Sequence, residues 1–229
     1  METKRYVGEA RRPGGMSVMC VVIVFVIDAT GSMARYIDGA VRAVTGFIDI
    51  LVEGSLQPSL GLVIFRDELI EEPTLCYDVG TAPEEIKRIL RSTEATGGGD
   101  EPESSLPAIM KALDLPGFAS DARKVLIHVT DAGCHDPENG LGSDEVLARL
   151  KKEKVLFHAC CPDTPPYTTF VNATGGTLFP IRTDLQADTF AGVMLSFARS
   201  TVKTLQMGDT ANTQEVARKR LRETRILEP

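Results

Sequence analysis

Val21–Met33 reads VVIVFVIDATGSM. Seven apolar, largely β-branched residues in a row, Val21 to Ile27, ask for a strand covered on both faces, because no polar position alternates with them. The run ends in Asp28, and Thr30 and Ser32 follow at alternate positions. Gly31 permits a tight turn there. One carboxylate and two hydroxyls are then aimed at a common point, just where the strand gives out. Such a set of hard oxygens suits Mg2+, Mn2+ or Ca2+ and not zinc. Each of the three also has a simpler use, since Asp, Thr and Ser are preferred helix caps.

Outward from this stretch, strands and helices alternate. A helix is expected from Met33 to Glu53, with Tyr36, Ile37, Ala40, Val41, Val44, Phe47, Ile48 and Leu51 at helical spacing. SLGLVIFRD (59–67) is a strand, and Thr74–Tyr77 a short edge strand. Pro83 opens a helix to Arg91, a residue suited to a first turn. The loop ATGGGDEPE (95–103) leads into a helix over 104–113. ARKVLIHVTDAG (122–133) is a second buried strand that meets an Asp. A helix over 143–152, a strand over 154–160, a short helix over 165–173, a strand in GGTLFPI and a helix over 188–205 complete the order. The fold class is therefore α/β, a doubly wound, mainly parallel central sheet with helices on both faces. Residues 1–17 are a flexible leader, 18–205 the domain, and 206–229 a charged tail with room for a short helix.

Parallel sheets hold ligands at the carboxyl ends of their strands. Three segments belong at that edge: Asp28, Thr30 and Ser32; the loop Gly97–Glu103 with Asp100; and Thr130–Asp131. Together they resemble the metal-ion-dependent adhesion site of von Willebrand factor A (vWA) domains. That family uses an Asp-x-Ser/Thr-x-Ser cluster, one residue from a middle loop and an Asp closing a later strand. The resemblance runs over about residues 18–205 and includes ATGGTLF at 173–179. The GGGDxPE loop is similar to that of intracellular and hemicentin-like members. It implies a Rossmann-like fold and a metal held by Asp28, Thr30, Ser32, Asp100 and Asp131. Aligning the loop glycines puts Asp100 where adhesion-type sites carry Thr. Three carboxylates around a divalent ion leave about −1 and weaken its pull on an acidic partner; if Asp100 or Asp131 binds through water, an open coordination position survives. Glu103 has two readings, the favoured N-terminal charge of its helix or a ligand. Asp67 is expected to pair or turn at a strand end, and His128 and His158 to sit in the core.

The 229 residues are 43% hydrophobic and 25% charged, ordinary for one globular domain. Net charge is −7. The leader carries a small positive excess, as does the tail from Gln206, so the body between them is more acidic than the whole. That argues against a nucleic-acid grip and fits a cation or a basic partner. Five cysteines with no CxxC spacing read as reduced thiols in a cytoplasmic protein. Arg11-Arg12 before the apolar Met16–Ile27 is similar to a signal peptide, but the central strand accounts for the same run. No run approaches a membrane span of about 20 apolar residues. No P-loop is present and no motif places a His beside a Ser or Cys as a nucleophile–base pair, so no enzyme is indicated. The expected function is a metal-dependent protein–protein interaction module, an adaptor or subunit of an intracellular multi-protein system that contacts a partner, in one version through its acidic side chain. Two alternatives stand beside it. One is a Mg-dependent phosphohydrolase, by similarity to the haloacid-dehalogenase layout, which needs an Asp where Thr30 stands. The other is a structural subunit with a purely stabilising metal.

Overall fold

The computed structural model describes residues 21–53, 58–67, 73–99, 102–119 and 121–181, together with Gly192, Leu195 and Arg199. The expected leader and tail, Cys20 and Asp100 lie outside the described residues. The elements in chain order are β1 (Val21–Asp28), a 3-10 helix (Gly31–Arg35), α1 (Ile37–Glu53), β2 (Ser59–Phe65), β3 (Leu75–Thr81), α2 (Pro83–Arg91), α3 (Ser105–Leu113), β4 (Arg123–Val129), α4 (Ser143–Lys152), β5 (Leu156–Cys161), α5 (Tyr167–Thr174) and β6 (Leu178–Pro180). Gly192, Leu195 and Arg199 are helical, where the last helix was expected.

The strands form one sheet in the order β3-β2-β1-β4-β5-β6. Every pairing is parallel except β2 with β3. All eight residues of β1 are buried, as the unbroken apolar run requires. Their alternation feeds two cores. Ile23, Phe25 and Ile27 pack with Phe47 and Ile48 of α1 and Ile86 and Leu90 of α2. Val22, Val24 and Val26 pack on the opposite face with Leu106 and Ile109 of α3, Val146 of α4 and Phe170 of α5. Truncating a side chain such as Phe25, whose ring meets Phe47 edge-on at 5.9 Å, costs about 3–5 kcal/mol.

Two expectations are corrected. The helix after β1 does not run unbroken from Met33: a 3-10 helix comes first, and α1 begins at Ile37. The tighter winding stacks Met33 and Tyr36 three residues apart, both buried, and leaves Ser32 at the sheet edge. The edge strand does not stop at Tyr77 but continues to Thr81 through Asp78 and Gly80, poor strand formers. An irregularity opposite Leu60 and Leu62, and Gly80 at φ +105°, absorb the misfit.

Candidate metal centre at the switch point of the sheet

The chain leaves β1 for β2 on one side and later returns to β4 on the other. Loops diverge at such a reversal and open a crevice at the carboxyl ends. The register sets Ile27 against Val129, so Asp28 and Thr130 emerge side by side. Thr130 Oγ1 donates to Asp28 Oδ2 at 2.6 Å. Asp28 Oδ1 accepts from the backbone N–H and from Oγ1 of Thr30, each at 2.8 Å. Thr30 Oγ1 lies 3.1 Å from Ser32 Oγ, which donates to Asp131 Oδ1 at 2.7 Å. A line of oxygens thus runs from the buried Asp28 and Thr30 to the exposed Ser32 and half-buried Asp131. Thr30 and Ser32 carry one hydroxyl proton each. With both carboxylates ionised, these two protons face three oxygen–oxygen contacts. The line is rich in lone pairs and short of positive charge.

The middle loop is fastened onto this line. The Thr96 N–H donates to the Ala29 carbonyl at 3.0 Å, and the Gly31 N–H to the Gly97 carbonyl at 2.9 Å. Arg66 grips the loop from below, Nε on the Thr96 carbonyl and Nη2 on the Glu94 carbonyl, both at 2.9 Å. Gly98 has φ +83°, and a Cβ there would stand 3.1 Å from Thr30 Cβ. Conformation and crowding both demand glycine. Asp67, wholly buried, accepts from the Gly99 N–H at 3.3 Å, and Ser104 Oγ stands 3.4 Å away with its proton directed to Glu138 Oε1 at 2.7 Å. Its strand-end role is to anchor the loop that leads to position 100.

Of the five expected ligands, Asp28, Thr30, Ser32 and Asp131 are brought together; Asp100 lies outside the described residues. Glu103 joins them. It stands two residues ahead of α3, yet a Cβ on Gly98 would meet its Oε1 at 3.4 Å, so its carboxyl lies on the cluster side of the glycine loop. Its backbone N–H donates to the Gly133 carbonyl at 3.0 Å and it bridges to Cys134, which ties it to the loop behind Asp131. Glu103 is 4% exposed, and Oε2 has no hydrogen-bond partner among the described residues. Burial, then Asp28, Asp67 and Asp131, push its carboxyl up to about 8. Burial pushes Asp28 up to about 6, against the pull of the Thr130 and Thr30 hydrogen bonds. Among the described residues none of Asp28, Glu103 and Asp131 has an ion-pair partner. The donor set is all oxygen, and among the described residues its buried carboxylates lack a counter-charge and Glu103 presents an orphan atom. These features fit a hard divalent cation. Among the described residues no three Asp, Glu, His or Cys side chains form a metal cage by themselves; the set is completed only by the hydroxyls of Thr30 and Ser32.

Neighbouring groups do not compete for that role. Burial pushes the Cys134 thiol up to about 12, and sulfur is a poor match for a hard cation. The Tyr167 hydroxyl lies 2.9 Å from Ser105 Oγ and 3.3 Å from the Ala132 carbonyl oxygen, behind the site. His128 and His158 are in the core, as expected.

A von Willebrand factor A domain model matches residues 22–181. The chain belongs to the vWA family. Part of the alpha-protein kinase vwkA of Dictyostelium discoideum is 25% identical to the vWA chain over 155 residues, covering 61% of this chain and 25% of the kinase. The chain thus spans about a quarter of the length of that curated relative. Among solved structures, proximal thread matrix protein 1 of the mussel byssus superposes with a TM-score of 0.60 at 14% identity, over 81% of this chain and 47% of that one. An aerotolerance-related membrane protein from Bacteroides fragilis superposes with a TM-score of 0.54 at 12% identity, over 82% and 97%. At these identities the likeness is one of vWA fold. No helix among the described residues is long and apolar enough to cross a membrane.

Proposed function

We propose that this vWA domain is a cation-dependent protein-binding module that serves a larger intracellular assembly and does not catalyse. The observation that carries the reading is the line from Asp28 through Thr30 and Ser32 to Asp131, a lone-pair-rich set at the switch point. Asp28, Thr30, Ser32 and Asp131 would hold Mg2+, Mn2+ or Ca2+, with Glu103 beside them and Asp100 in the adjoining loop. The ion would supply a positive centre at the surface for an acidic side chain of a partner. Mg2+ keeps waters that such a group can replace. Likeness to one quarter of a protein kinase fits a module within larger machinery. Hydrolysis is the weaker reading, because both oxygens of Asp28 are engaged by hydroxyl and amide donors and Thr30 stands where a general acid is needed.

Thermal unfolding tests the cation. A ligand present at a hundredfold its Kd stabilises by about 2.7 kcal/mol, a Tm rise of about 5–10 °C for a chain of this size. Mg2+ or Mn2+ added after chelation produces that rise, and Asp28→Ala removes it. Affinity capture with the two proteins then tests the partner. Capture lost in both chelator and Asp28→Ala supports the module; capture unchanged with the fold intact leaves a purely stabilising metal.

A further inference from the structure

Asn139 and Gly140 close a two-residue turn in the loop between β4 and α4. Both have positive φ, +49° and +84°. The flanking Glu138 and Leu141 exchange backbone hydrogen bonds of 2.9 and 2.8 Å. Such tight turns favour Asn-Gly, because both central residues must adopt positive φ. Both turn residues are exposed, and a Cβ on Gly140 would meet nothing within 4 Å. Among the described residues the Gly140 N–H donates to no acceptor. The Asn139 side-chain amide is thus followed by a bare, unbonded peptide nitrogen in contact with water. Asn172 is the contrast within the same chain. It is also exposed, but it lies inside α5 ahead of Ala173. There the next N–H belongs to the helix ladder, and a methyl group crowds the approach to it.

We propose that Asn139 is a site of spontaneous deamidation, and that its isoaspartate product loosens this loop. The Gly140 nitrogen attacks Asn139 Cγ and forms a new C–N bond. The side-chain nitrogen leaves as ammonia, carrying away the Gly140 amide proton. Water then opens the succinimide ring at one of its two carbonyls, which gives aspartate or isoaspartate with no oxidation or reduction. Glycine permits the ring because it brings no Cβ into the path and keeps its backbone freedom. In isoaspartate the main chain runs through the former side-chain CH2, so the turn gains one backbone atom. The length of a two-residue turn sets the pairing of its flanks, and the added atom breaks the exchange between Glu138 and Leu141. Glu138 is 2% exposed, and its Oε1 accepts the Ser104 hydroxyl at 2.7 Å, immediately before α3. Through Glu138 the lengthened turn pulls on the start of α3.

The test incubates the full chain at neutral pH and body temperature and maps its peptides by mass spectrometry at intervals. Asn139 is expected to convert from amide to acid at least tenfold faster than Asn172, with isoaspartate among the products. Asn139→Gln is expected to show no conversion at that position. A ratio below tenfold, or aspartate as the sole product, overturns the deamidation through the ring. Hydrogen exchange then compares the charge-shifted fraction of the aged protein with Asn139→Asp, which carries the same charge on a chain of unchanged length. The Glu138 and Leu141 amides are expected to exchange at least tenfold faster in the isoaspartate form. Equal exchange in the two proteins overturns the loosening of the loop.

Discussion

Thr130 at the end of β4 donates its hydroxyl proton to Asp28 Oδ2 at the end of β1 across 2.6 Å, and its Oγ1 in turn accepts the Ala132 N–H at 3.2 Å. One side chain joins the two central strands where they emerge and also shapes the turn behind Asp131. Thr130→Val keeps the volume and removes the donor. It leaves a buried carboxylate oxygen unsatisfied, at about 1–3 kcal/mol. Urea unfolding in chelator should show that loss, and Mg2+ titration a weaker affinity. Thr130→Ser should restore both, and a Val variant equal to wild type in both measurements refutes the role.

Arg66 is expected to matter for the loop more than for the sheet. Arg66→Ala removes both bonds to the Glu94 and Thr96 carbonyls, and Lys cannot replace a fork. Hydrogen exchange should accelerate at the Thr96 and Gly31 amides, whose bonds fasten the loop to β1, while the β4 amides keep their protection. Uniform acceleration would instead indicate global destabilisation.

In the metal-free protein, Asp28 and Glu103 should contribute stability that is lost as pH rises. Asp28 and Glu103 have folded values of about 6 and about 8, above the ordinary carboxylate range. A raised folded value means the native state holds the proton more tightly. Their contribution is therefore full below about pH 4 and is lost as pH climbs through about 6 and then about 8. Saturating Mg2+ should flatten or reverse this slope, because the ion needs ionised carboxylates. Glu103→Gln should abolish the upper part of the slope in chelator. Tm measured from pH 4 to 9, with and without Mg2+, reads all three.

The core histidines act in the opposite sense. Burial pushes His128 and His158 down to about 3, below the unfolded value of about 6.5. Their contribution is full above about pH 6.5 and is lost as pH falls toward 3. The Thr177 N–H donates to His158 Nδ1 at 3.0 Å, a bond that only the neutral ring accepts. His128 lies against Phe65, Phe157 and Tyr167, with no hydrogen-bond partner for either ring nitrogen among the described residues. His128→Phe should therefore be neutral or stabilising at pH 7 and make the acid limb shallower. A marked loss at pH 7 would mean that a partner for the ring is needed.

What could be read from the chain follows from the range of the forces involved. β1 declares itself because eight consecutive residues are buried and none is excused from being apolar until Asp28. Asp28, Thr30 and Ser32 are readable as a set because one turn places them, and Asp131 because it follows a second such strand. Glu103 was legible as one of two readings, and the local one, the charge at a helix start, was favoured. Only its pairing with the Gly133–Cys134 backbone places it beside the glycine loop, and that contact crosses two elements. Thr130 was visible merely as a neighbour of Asp131, since the register that sets it against Asp28 is a property of the sheet. The length of β3 was misread because Asp78 and Gly80 oppose a strand locally, while β2 supplies a partner that overrides them.

The phenol of Tyr167 has a mechanical meaning. It stands at a three-way junction between α5, the first residue of α3 at Ser105 and the backbone just past Asp131 at Ala132. Sliding α3 along the sheet would have to stretch or break this junction, whose side chains are buried. The rear wall of the crevice is thus cross-tied, whereas its front wall is the 3-10 helix, which presents Ser32 and Arg35 to solvent. On the proposed reading, a partner would engage the exposed Ser32 side with this buried junction behind it.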